Sequence, residues 1–246
     1  MEKVYARPES INKSISGYCP GCMHSTITKV VAQVIDELNI REKTVCILPV
    51  GCSTLGAMYW NMDMVAASHG RAPAVATGLK RVSPASIVFT YQGDGDLASI
   101  GMAEIMHAAN RGEKITVIFV NNSIYGMTGG QMAPTTLIGQ KATTCPNGRD
   151  PNTEGQPIHM AELIAQLKSP VYSARFAVDT PGNINKAKAG IKKAFLNQLD
   201  GKGFSFVEIL SNCPTNWGMS PLETLDYIKE QTMTEFPLGV FKNEEV

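Results

Sequence analysis

The sequence lacks an excess of charge of either sign. Its 22 Lys and Arg residues are balanced by 22 Asp and Glu residues, so the formal net charge is zero. Proteins that bind nucleic acid or an anionic membrane surface normally carry clustered positive charge. We therefore expect no nucleic-acid partner.

The sequence also lacks long apolar segments. No run of about 18 apolar residues, the length that spans a bilayer, occurs in it. Residues 1–16 are polar and lack the apolar centre of a signal peptide. From both absences we predict a cytoplasmic protein with no membrane partner.

Apolar residues occur instead in short segments, which are of two kinds that alternate along the chain. Segments with helical spacing alternate with short continuous apolar runs, a pattern typical of helices that connect the buried strands of a parallel sheet. The predicted helices are residues 26–38, 74–80, 97–111, 160–167 and 184–199, and the predicted strands are residues 44–49, 86–92, 115–120, 172–178 and 204–210. We predict an α/β fold with a doubly wound, mainly parallel sheet.

The chain length favours one domain. A chain of 246 residues can bury a full core, and the simplest organisation is a single domain over residues 1–246 with a C-terminal extension over about residues 211–246. Residues 131–158 are rich in Thr, Pro, Gly and Asn, and they form too long an irregular segment for a simple connection. We predict that they form a functional or interface loop.

A Gly-Asp-Gly turn at residues 93–95 follows the strand predicted over residues 86–92. The glycines allow the backbone to approach a phosphate, while Asp94 presents a carboxylate to a cation. Asn122 follows the next predicted strand, so it should emerge at the same sheet edge. Mg²⁺ prefers oxygen ligands, which Asp94, Asn122 and the backbone carbonyl of Ile124 could supply. The pattern favours a metal–diphosphate site, although a Gly-Asp-Gly turn alone is usually only a turn.

Six cysteines in a cytoplasmic chain favour metal or redox chemistry over disulfides, since thiols stay reduced there. Cys19 and Cys22 form a Cys-x-x-Cys pair, while Cys52 and Cys213 each follow a predicted strand. These four could converge at the edge where parallel strands end, and four thiolates suit iron–sulfur or zinc. Taken alone, the Cys-x-x-Cys pair is equally consistent with a thioredoxin-like dithiol, half of a zinc site or half of a cluster.

Several short motifs follow one another along nearly the whole chain. They are Cys19-Pro20-Gly21-Cys22, Val50-Gly51-Cys52-Ser53, His69-Gly70-Arg71, Gly93-Asp94-Gly95-Asp96, Asn122-Ser123-Ile124-Tyr125-Gly126-Met127-Thr128-Gly129-Gly130-Gln131 and Cys213-Pro214-Thr215. This order resembles the β subunit of the 2-oxoacid:ferredoxin oxidoreductases, and the resemblance covers about residues 18–242.

The resemblance implies a thiamine diphosphate-binding domain of the type that grips the diphosphate. It also implies thiamine diphosphate, Mg²⁺ and a 4Fe-4S cluster as cofactors. The implied reaction is the CoA-acylating oxidative decarboxylation of a 2-oxoacid, with electrons passed through the cluster to ferredoxin.

The same resemblance assigns site residues by position. The residues that match the family's cofactor contacts are Gly51, Cys52, Ser53, Gly95, Asp96, Gly126 and Met127. Those that match its Mg²⁺ ligands are Asp94, Asn122 and Ile124, the last through its carbonyl, and those that match its cluster ligands are Cys19, Cys22, Cys52 and Cys213.

The resemblance further implies partners. The family holds its cofactor between two similar α/β domains, and this chain has room for one, so we expect an α subunit that carries the second. Many relatives add a γ subunit and a ferredoxin-like δ subunit, and ferredoxin, CoA and the 2-oxoacid would complete the set. Residues 214–221 and 237–240 look most like the 2-oxoglutarate and branched-chain (2-ketoisovalerate) branches rather than the pyruvate branch.

His69 and Arg71 are our candidate catalytic residues. They lie between two predicted elements, and Arg71 could contact a carboxylate or phosphate through two N–H groups; the alternative is a loop anchored by hydrogen bonds. We expect His24 to cap or pack, with a diphosphate contact as its alternative. Cys46 lies in an apolar strand and should be a small buried hydrophobe, whereas Cys145 has no predicted role.

Two other functions remain open at this level. A non-oxidative thiamine diphosphate carboligase or decarboxylase would use the same Asp94 and Asn122 site but would not need the four cysteines. In a non-catalytic, metal-stabilised subunit the Gly-Asp-Gly turn would be merely structural.

Overall fold

The computed structural model describes residues 6–244, so the first five and last two residues of the predicted domain lie outside the described residues. The strands in this part are β1 (Thr44–Leu48), β2 (Asp63–Ala66), β3 (Ile87–Gly93), β4 (Thr116–Asn121), β5 (Ile124–Tyr125), β6 (Gln131–Met132), β7 (Tyr172–Ala177), β8 (Ser205–Leu210) and β9 (Gly239–Asn243). Seven of them form one sheet in the order β2-β1-β3-β4-β8-β7-β9, while β5 and β6 form a small separate hairpin. All pairs in the large sheet are parallel except β7 with β9.

Helices connect these strands and complete the C-terminal part. They are α1 (His24–Glu37), α2 (Ala72–Val82), α3 (Met102–Asn110), α4 (Met160–Ala165), α5 (Pro181–Leu199), α6 (Pro214–Trp217), α7 (Pro221–Tyr227) and α8 (Met233–Glu235). Arg41–Lys43 and Cys52–Met58 form 3₁₀ turns, and Asp96–Ile100 and Ile228–Thr232 form wide π turns. In residues 6–244, no helix is both long enough and apolar enough to cross a bilayer.

Apolar layers cover both faces of the sheet. On one face α1 and α5 contribute side chains such as Ile27 and Phe195 to the core. On the other face α2, α3 and α4 contribute Ala76, Ile105 and Ile164. Because the central strands are buried on both sides, their sequences are continuous apolar runs rather than alternating ones. The predicted doubly wound, mainly parallel α/β fold is confirmed.

Every predicted helix and strand is present, with ends that differ by a few residues. The helix predicted over residues 97–111 differs in form, because it begins as a π turn in which Gly101 N–H donates to Asp96 O at 2.8 Å. The wide turn brings Gly101 against Gly70, where a Cβ atom on Gly101 would lie 2.5 Å from the Gly70 oxygen. A tight packing contact therefore overrides regular helix geometry at this position.

The strands β2 and β9 and the short helices α6 to α8 were not predicted. Both strands lie at the edges of the sheet, and most of their residues are partly or fully exposed. Their apolar runs, residues 64–66 in β2 and 240–241 in β9, are shorter than those of the buried parallel strands. The antiparallel edge strand β9 packs the predicted C-terminal extension against the body of the protein.

The strand order has a switch point between β1 and β3. This strand pairs with β2 on one side and β3 on the other, and β3 pairs onward with β4. The loops that follow β1 and β3 therefore leave in opposite directions and open a crevice beyond the carboxyl ends of the strands. Such switch points are where open parallel sheets bind ligands.

A buried ion cluster ties the C-terminal segment to the end of β4. The fully buried Arg175 places its Nε atom 3.0 Å from Glu208 Oε2 and donates from Nη1 to Glu162 Oε1 at 2.8 Å and to the Pro237 carbonyl at 3.0 Å. Glu208 Oε1 in turn accepts a hydrogen bond from Asn121 Nδ2 at 2.8 Å. The cluster thus reaches the residue that precedes Asn122.

We predict that Arg175→Met lowers the free energy of unfolding by about 3–5 kcal/mol, because it leaves the buried Glu208 carboxylate without its cation. Urea unfolding measures the change. Arg41→Met is the control, since Arg41 pairs with a largely exposed Glu42 and its loss should cost at most about 1 kcal/mol. Equal losses in the two variants would show that the buried cluster contributes no more than a surface pair.

Candidate cofactor site

A pocket opens at the switch point, beyond the ends of β1, β3 and β4. Its walls are residues 50–53, 93–96, 122 and 124–128, together with His24 and His69. All seven residues predicted to contact a cofactor line it, as do the three predicted Mg²⁺ ligands and His69. Arg71 is absent from the lining; its guanidinium pairs with Glu104 on α3.

Two glycines shape the pocket floor. Gly51 has φ of +116°, a backbone conformation that side chains strongly disfavour, and the space beside it is empty. A Cβ atom on Gly95 would lie 2.2 Å from the Tyr125 ring, whose hydroxyl donates to the Gly95 carbonyl at 2.8 Å. Both positions therefore require glycine, one for conformation and the other for close packing.

Asp94 is a buried carboxylate without a cation. Its side chain accepts hydrogen bonds from Thr135 Oγ1 at 2.6 Å and from the Gly95 N–H at 2.9 Å. None of the ion pairs formed within residues 6–244 includes it. Burial raises its pKa to about 6, although both hydrogen bonds act in the opposite direction. A bound cation would relieve this cost, so the environment of Asp94 fits a metal ion.

Ser53 supplies a second unsatisfied group in the same pocket. It is 2% exposed, and its Oγ atom has no hydrogen-bond partner among the described residues. A buried hydroxyl without a partner loses about 1–3 kcal/mol relative to a paired one. Oxygen atoms of a diphosphate are strong acceptors, so the group that fits beside a cation at Asp94 also fits the hydroxyl of Ser53.

Asp96 holds the loop that carries His69. Asp96 Oδ1 accepts the Gly70 N–H at 2.8 Å and lies 2.6 Å from His69 Nδ1, while Oδ2 accepts Gln92 Nε2 at 2.6 Å. Both carboxylate oxygens are therefore engaged by the protein, and His69 Nε2 is the ring nitrogen left for another partner. His69 itself is about one-third exposed in its side chain.

His24 lies at the start of α1 and is 2% exposed. Its Nδ1 atom is 2.6 Å from the Tyr91 hydroxyl, and its ring stacks on Tyr18 with 5.0 Å between centroids. Burial lowers the pKa of His24 to about 4, so the imidazole is neutral at neutral pH. His24 lines the pocket as a packed, uncharged residue, which agrees with the packing role expected for it and not with a cationic one.

The four predicted cluster ligands are close enough to influence one another. Burial is the main cause, and repulsion by the thiolates of Cys19 and Cys213 a smaller one, of a pKa raised to about 12 for Cys22 and to about 11 for Cys52. Asn216 Nδ2 donates to Cys213 Sγ at 3.2 Å. In the described chain, however, no three side chains of His, Cys, Asp or Glu are arranged to hold a metal ion. The thiols are neighbours, not a closed site.

The remaining cysteines are buried. Cys46 is fully buried in the apolar core beneath α1, as expected for a small hydrophobe. Cys145 is 4% exposed and packs with Ile124 and Ala142 below the hairpin of β5 and β6.

Several residues of the site were not found from the sequence. They are Thr135, which binds Asp94; Tyr91, which binds His24; Gln92, which binds Asp96; Tyr125, which binds Gly95; and Asn216, which binds Cys213. Tyr91 and Gln92 carried a usable signal, because polar groups at the end of a fully buried strand need partners. Thr135 carried none, since its partner Asp94 lies 41 positions away in the chain. Asn216 follows its partner Cys213 by only three positions, so it could have been considered as a donor to that thiol.

The sequence matches the family described as thiamine pyrophosphate enzyme, C-terminal TPP binding domain, over residues 49–209. A solved structure described as 2-oxoglutarate:ferredoxin oxidoreductase from Magnetococcus marinus, with 2-oxoglutarate, coenzyme A and succinyl-CoA bound, superposes with a TM-score of 0.78 at 24% identity, covering 99% of this chain and 87% of that one. This likeness supports the fold.

Curated relatives extend the comparison. The ketoisovalerate oxidoreductase subunit VorA of Methanothermobacter marburgensis is 48% identical over 243 residues, which are 99% of this chain and 51% of that protein. The 2-oxoglutarate synthase subunit KorB of Methanocaldococcus jannaschii is 36% identical over 88% of this chain and 78% of that protein. The chain thus spans about half the length of the VorA relatives it matches.

We predict that Asp94→Asn stabilises the cofactor-free protein at pH 8 by up to about 3 kcal/mol. Folded Asp94 keeps its proton up to a pKa of about 6, against 3.8 in the unfolded chain, so the wild-type fold loses stability as pH rises through that window. Asparagine has no charge to bury, so it avoids this loss, and its advantage in the free energy of unfolding should vanish near pH 4. Urea unfolding at both pH values measures it.

The control for this experiment is Asp200→Asn, because the Asp200 side chain is 57% exposed. As a substitution at an exposed position, it should change the free energy of unfolding by at most about 0.5 kcal/mol. A gain at Asp94 of equal size at pH 4 and pH 8 would contradict the assignment of a raised pKa.

Proposed function

This chain belongs to the 2-oxoacid:ferredoxin oxidoreductase family as a thiamine diphosphate-binding β subunit, and on that premise we propose that it serves the CoA-acylating oxidative decarboxylation of a 2-oxoacid. The observation that carries the proposal is that one pocket holds two buried groups: the Asp94 carboxylate, which pairs with no cationic side chain of the described residues, and the Ser53 hydroxyl, which has no hydrogen-bond partner among them. These two groups together suit a metal-bound diphosphate better than either would alone.

We assign Mg²⁺ to the Asp94 carboxylate, the Asn122 side-chain oxygen and the Ile124 carbonyl, with diphosphate oxygens completing the coordination. Asn122 is 7% exposed, and within residues 6–244 the bond that its Oδ1 atom accepts is a long one, 3.3 Å from the Ile124 N–H. A single carboxylate is enough here, because the diphosphate brings negative charge of its own. Ser53 would donate its free hydroxyl to that diphosphate.

The bound cofactor would supply a nucleophilic carbon for the keto carbon of a 2-oxoacid and an electron sink for the loss of CO₂. Around it, Gly51, Gly95 and Gly126 would let the backbone approach closely. Cys52, Asp96 and Met127 would contact it from the pocket wall, and Asp96 would at the same time orient His69. We retain His69 as a candidate catalytic residue, whereas the pairing of Arg71 with Glu104 gives Arg71 no support for that role.

We further propose that Cys19, Cys22, Cys52 and Cys213 bind a 4Fe-4S cluster that passes electrons to ferredoxin. Their proximity, and the N–H donor that Asn216 directs at Cys213, suit thiolate ligation. The raised pKa values of Cys22, Cys52 and Cys213 keep these three thiols protonated at neutral pH, so their binding to a cluster would release protons. A non-oxidative carboligase would have no use for this group of cysteines.

For the substrate we propose a branched-chain 2-oxoacid of the 2-ketoisovalerate type, because the relative with 48% identity is named a ketoisovalerate oxidoreductase subunit. 2-Oxoglutarate is the alternative, supported by the KorB relatives. CoA would accept the acyl group, and the complex would be cytoplasmic.

We propose that an α subunit closes the pocket, with γ and ferredoxin-like δ subunits completing the complex. Val50 and Met127 line the pocket and are 45% and 51% exposed, so the part of the wall they form is uncovered in this chain. A cofactor bound there would need a second wall, which the proposed α subunit would provide.

To test the cluster, iron and acid-labile sulfide are measured per copy after anaerobic purification with any co-purifying chains. We expect about four of each from this subunit, and Cys213→Ser should remove them. Cys145→Ser is the matched control and should retain them. Zinc, or no metal, in the wild-type protein would discard the cluster.

Thiamine diphosphate content tests the other site. We expect about one molecule per copy in the wild-type protein, and Asp94→Ala should abolish it by removing the charged metal ligand, with the iron content unchanged. Asp200→Ala should leave both contents unchanged. Cofactor retained by Asp94→Ala would overturn the metal assignment, whereas a wild-type complex without cofactor would favour a non-catalytic subunit.

A further inference from the structure

Two adjacent threonines of the loop at residues 131–158 reach both segments of the candidate metal site. Thr135 Oγ1 donates to Asp94 Oδ2 at 2.6 Å, after β3. Thr136 Oγ1 donates to the carbonyl of Ser123 at 2.6 Å, after β4. Both threonines are fully buried. One dipeptide therefore contacts two segments that are about thirty residues apart in sequence but meet at the pocket.

The dipeptide is part of a tight turn. The Thr136 N–H donates to the Ala133 carbonyl at 3.1 Å, and Pro134 occupies the second position of the turn, where its fixed φ is favourable. The Thr136 hydroxyl also accepts the Ala133 N–H at 2.9 Å. Each threonine hydroxyl thus donates its proton to an acceptor in the candidate metal site, and the Thr136 N–H finds its acceptor within the turn.

A buried arginine fixes this turn. Arg149 is 5% exposed, and its Nη1 atom donates to the carbonyls of Pro134 at 2.9 Å and Thr136 at 2.7 Å. Its other donors bind the carbonyls of Gly155 at 2.9 Å and Gln156 at 2.8 Å. The guanidinium joins the two ends of the loop through backbone oxygens only, so its geometry does not depend on a carboxylate partner.

The segment that Thr136 holds has an unusual backbone. Ser123 has φ of +55°, a left-handed conformation rarely adopted by residues other than glycine. Its N–H donates to Asn121 Oδ1 at 3.2 Å, and its carbonyl is the one that accepts Thr136. This residue lies between the two proposed ligands Asn122 and Ile124, so its conformation decides where their oxygens point.

We propose that Thr135 and Thr136, held by Arg149, form a threonine brace that positions Asp94 and the Asn122–Ile124 segment for Mg²⁺ and diphosphate. This inference rests on the proposed function of the site. A hydroxyl suits the role because it orients a carboxylate without neutralising it, whereas Lys or Arg at position 135 would compete with the metal for the same charge. The threonines are positioning residues and need not contact the cofactor.

The test measures binding of Mn²⁺ as a paramagnetic substitute for Mg²⁺, by EPR, with and without thiamine diphosphate. It uses the full chain together with its co-purifying partners. Thr135→Val keeps the shape of the side chain but removes the donor, so the cofactor-dependent affinity for Mn²⁺ should fall by about 10–100-fold. Thr135→Ser retains the hydroxyl and should stay near the wild-type affinity.

Thr44→Val is the matched control. Thr44 is 1% exposed and donates a single hydrogen bond to the Ile40 carbonyl at 2.8 Å. It is the first residue of β1 and so lies at the amino ends of the parallel strands, away from the pocket. Without metal and cofactor, the midpoint temperature of thermal unfolding should fall by similar amounts in Thr44→Val and Thr135→Val. Only Thr135→Val should lose affinity for Mn²⁺. If Thr135→Val does not fold, Thr136→Val carries the same expected loss.

The outcomes separate the brace from the function beneath it. Wild-type affinity in Thr135→Val, or in Thr136→Val when it replaces that variant, overturns the brace but leaves the metal–diphosphate site standing. Equal losses in Thr135→Val and Thr44→Val overturn it as well, since they would reflect general destabilisation. A wild-type protein that binds no Mn²⁺ with thiamine diphosphate overturns both the brace and the proposed function.

Discussion

The desolvation of the Asp94 carboxylate is the constraint on which the pocket depends. A buried charge is costly unless it is paired or hydrogen-bonded, and here the described chain supplies hydrogen bonds but no cation. The donors are neutral, so they orient the carboxylate and leave its charge in place. Nearby, the Ser53 hydroxyl is buried without a partner. The chain by itself therefore buries two polar groups at a cost in free energy, which a bound metal and anion would relieve.

The surrounding fold offsets the free-energy cost of burying these two groups. The strands β3, β4 and β8 are almost fully buried and carry the site only at their carboxyl ends. Asp96 fixes the loop of His69 through Gly70, and the π turn that begins at Asp96 brings Gly101 against the same glycine. On the other side, Glu208 and Asn121 extend the ion cluster of Arg175 to the segment after β4. Asp96 within the wall and the ion cluster behind it thus hold other pocket residues in place.

The same edge of the sheet carries two kinds of chemistry. Oxygen atoms of Asp94 and Asn122 lie on one side, and the thiols of Cys52 and Cys213 approach Gly126 within 3.3 and 3.4 Å of where its Cβ atom would be. Gly126 therefore lies against two of the thiols in a pocket that also contains the Asp94 and Asn122 side chains. Under the proposed function, the residues that would hold the two cofactors share this edge of the sheet.

The sequence alone determined the parallel α/β fold and the edge at which the site lies. Continuous apolar runs identify strands buried on both faces, and the residues that follow such strands must meet at one edge of the sheet. This is why the sequence predicts that Asp94, Asn122 and Cys52 lie together. The sequence could not identify β2 or β9, because exposed edge strands lack that pattern.

Contacts between distant segments were decided only by the tertiary structure. The bond from Thr135 to Asp94 spans 41 positions and that from Arg175 to Glu208 spans 33, and no local periodicity encodes such pairs. The turn of Arg71 towards Glu104 likewise depends on how α2 packs against α3. Local patterns arise from burial, which repeats along an element, whereas individual polar partners depend on how those elements pack against one another.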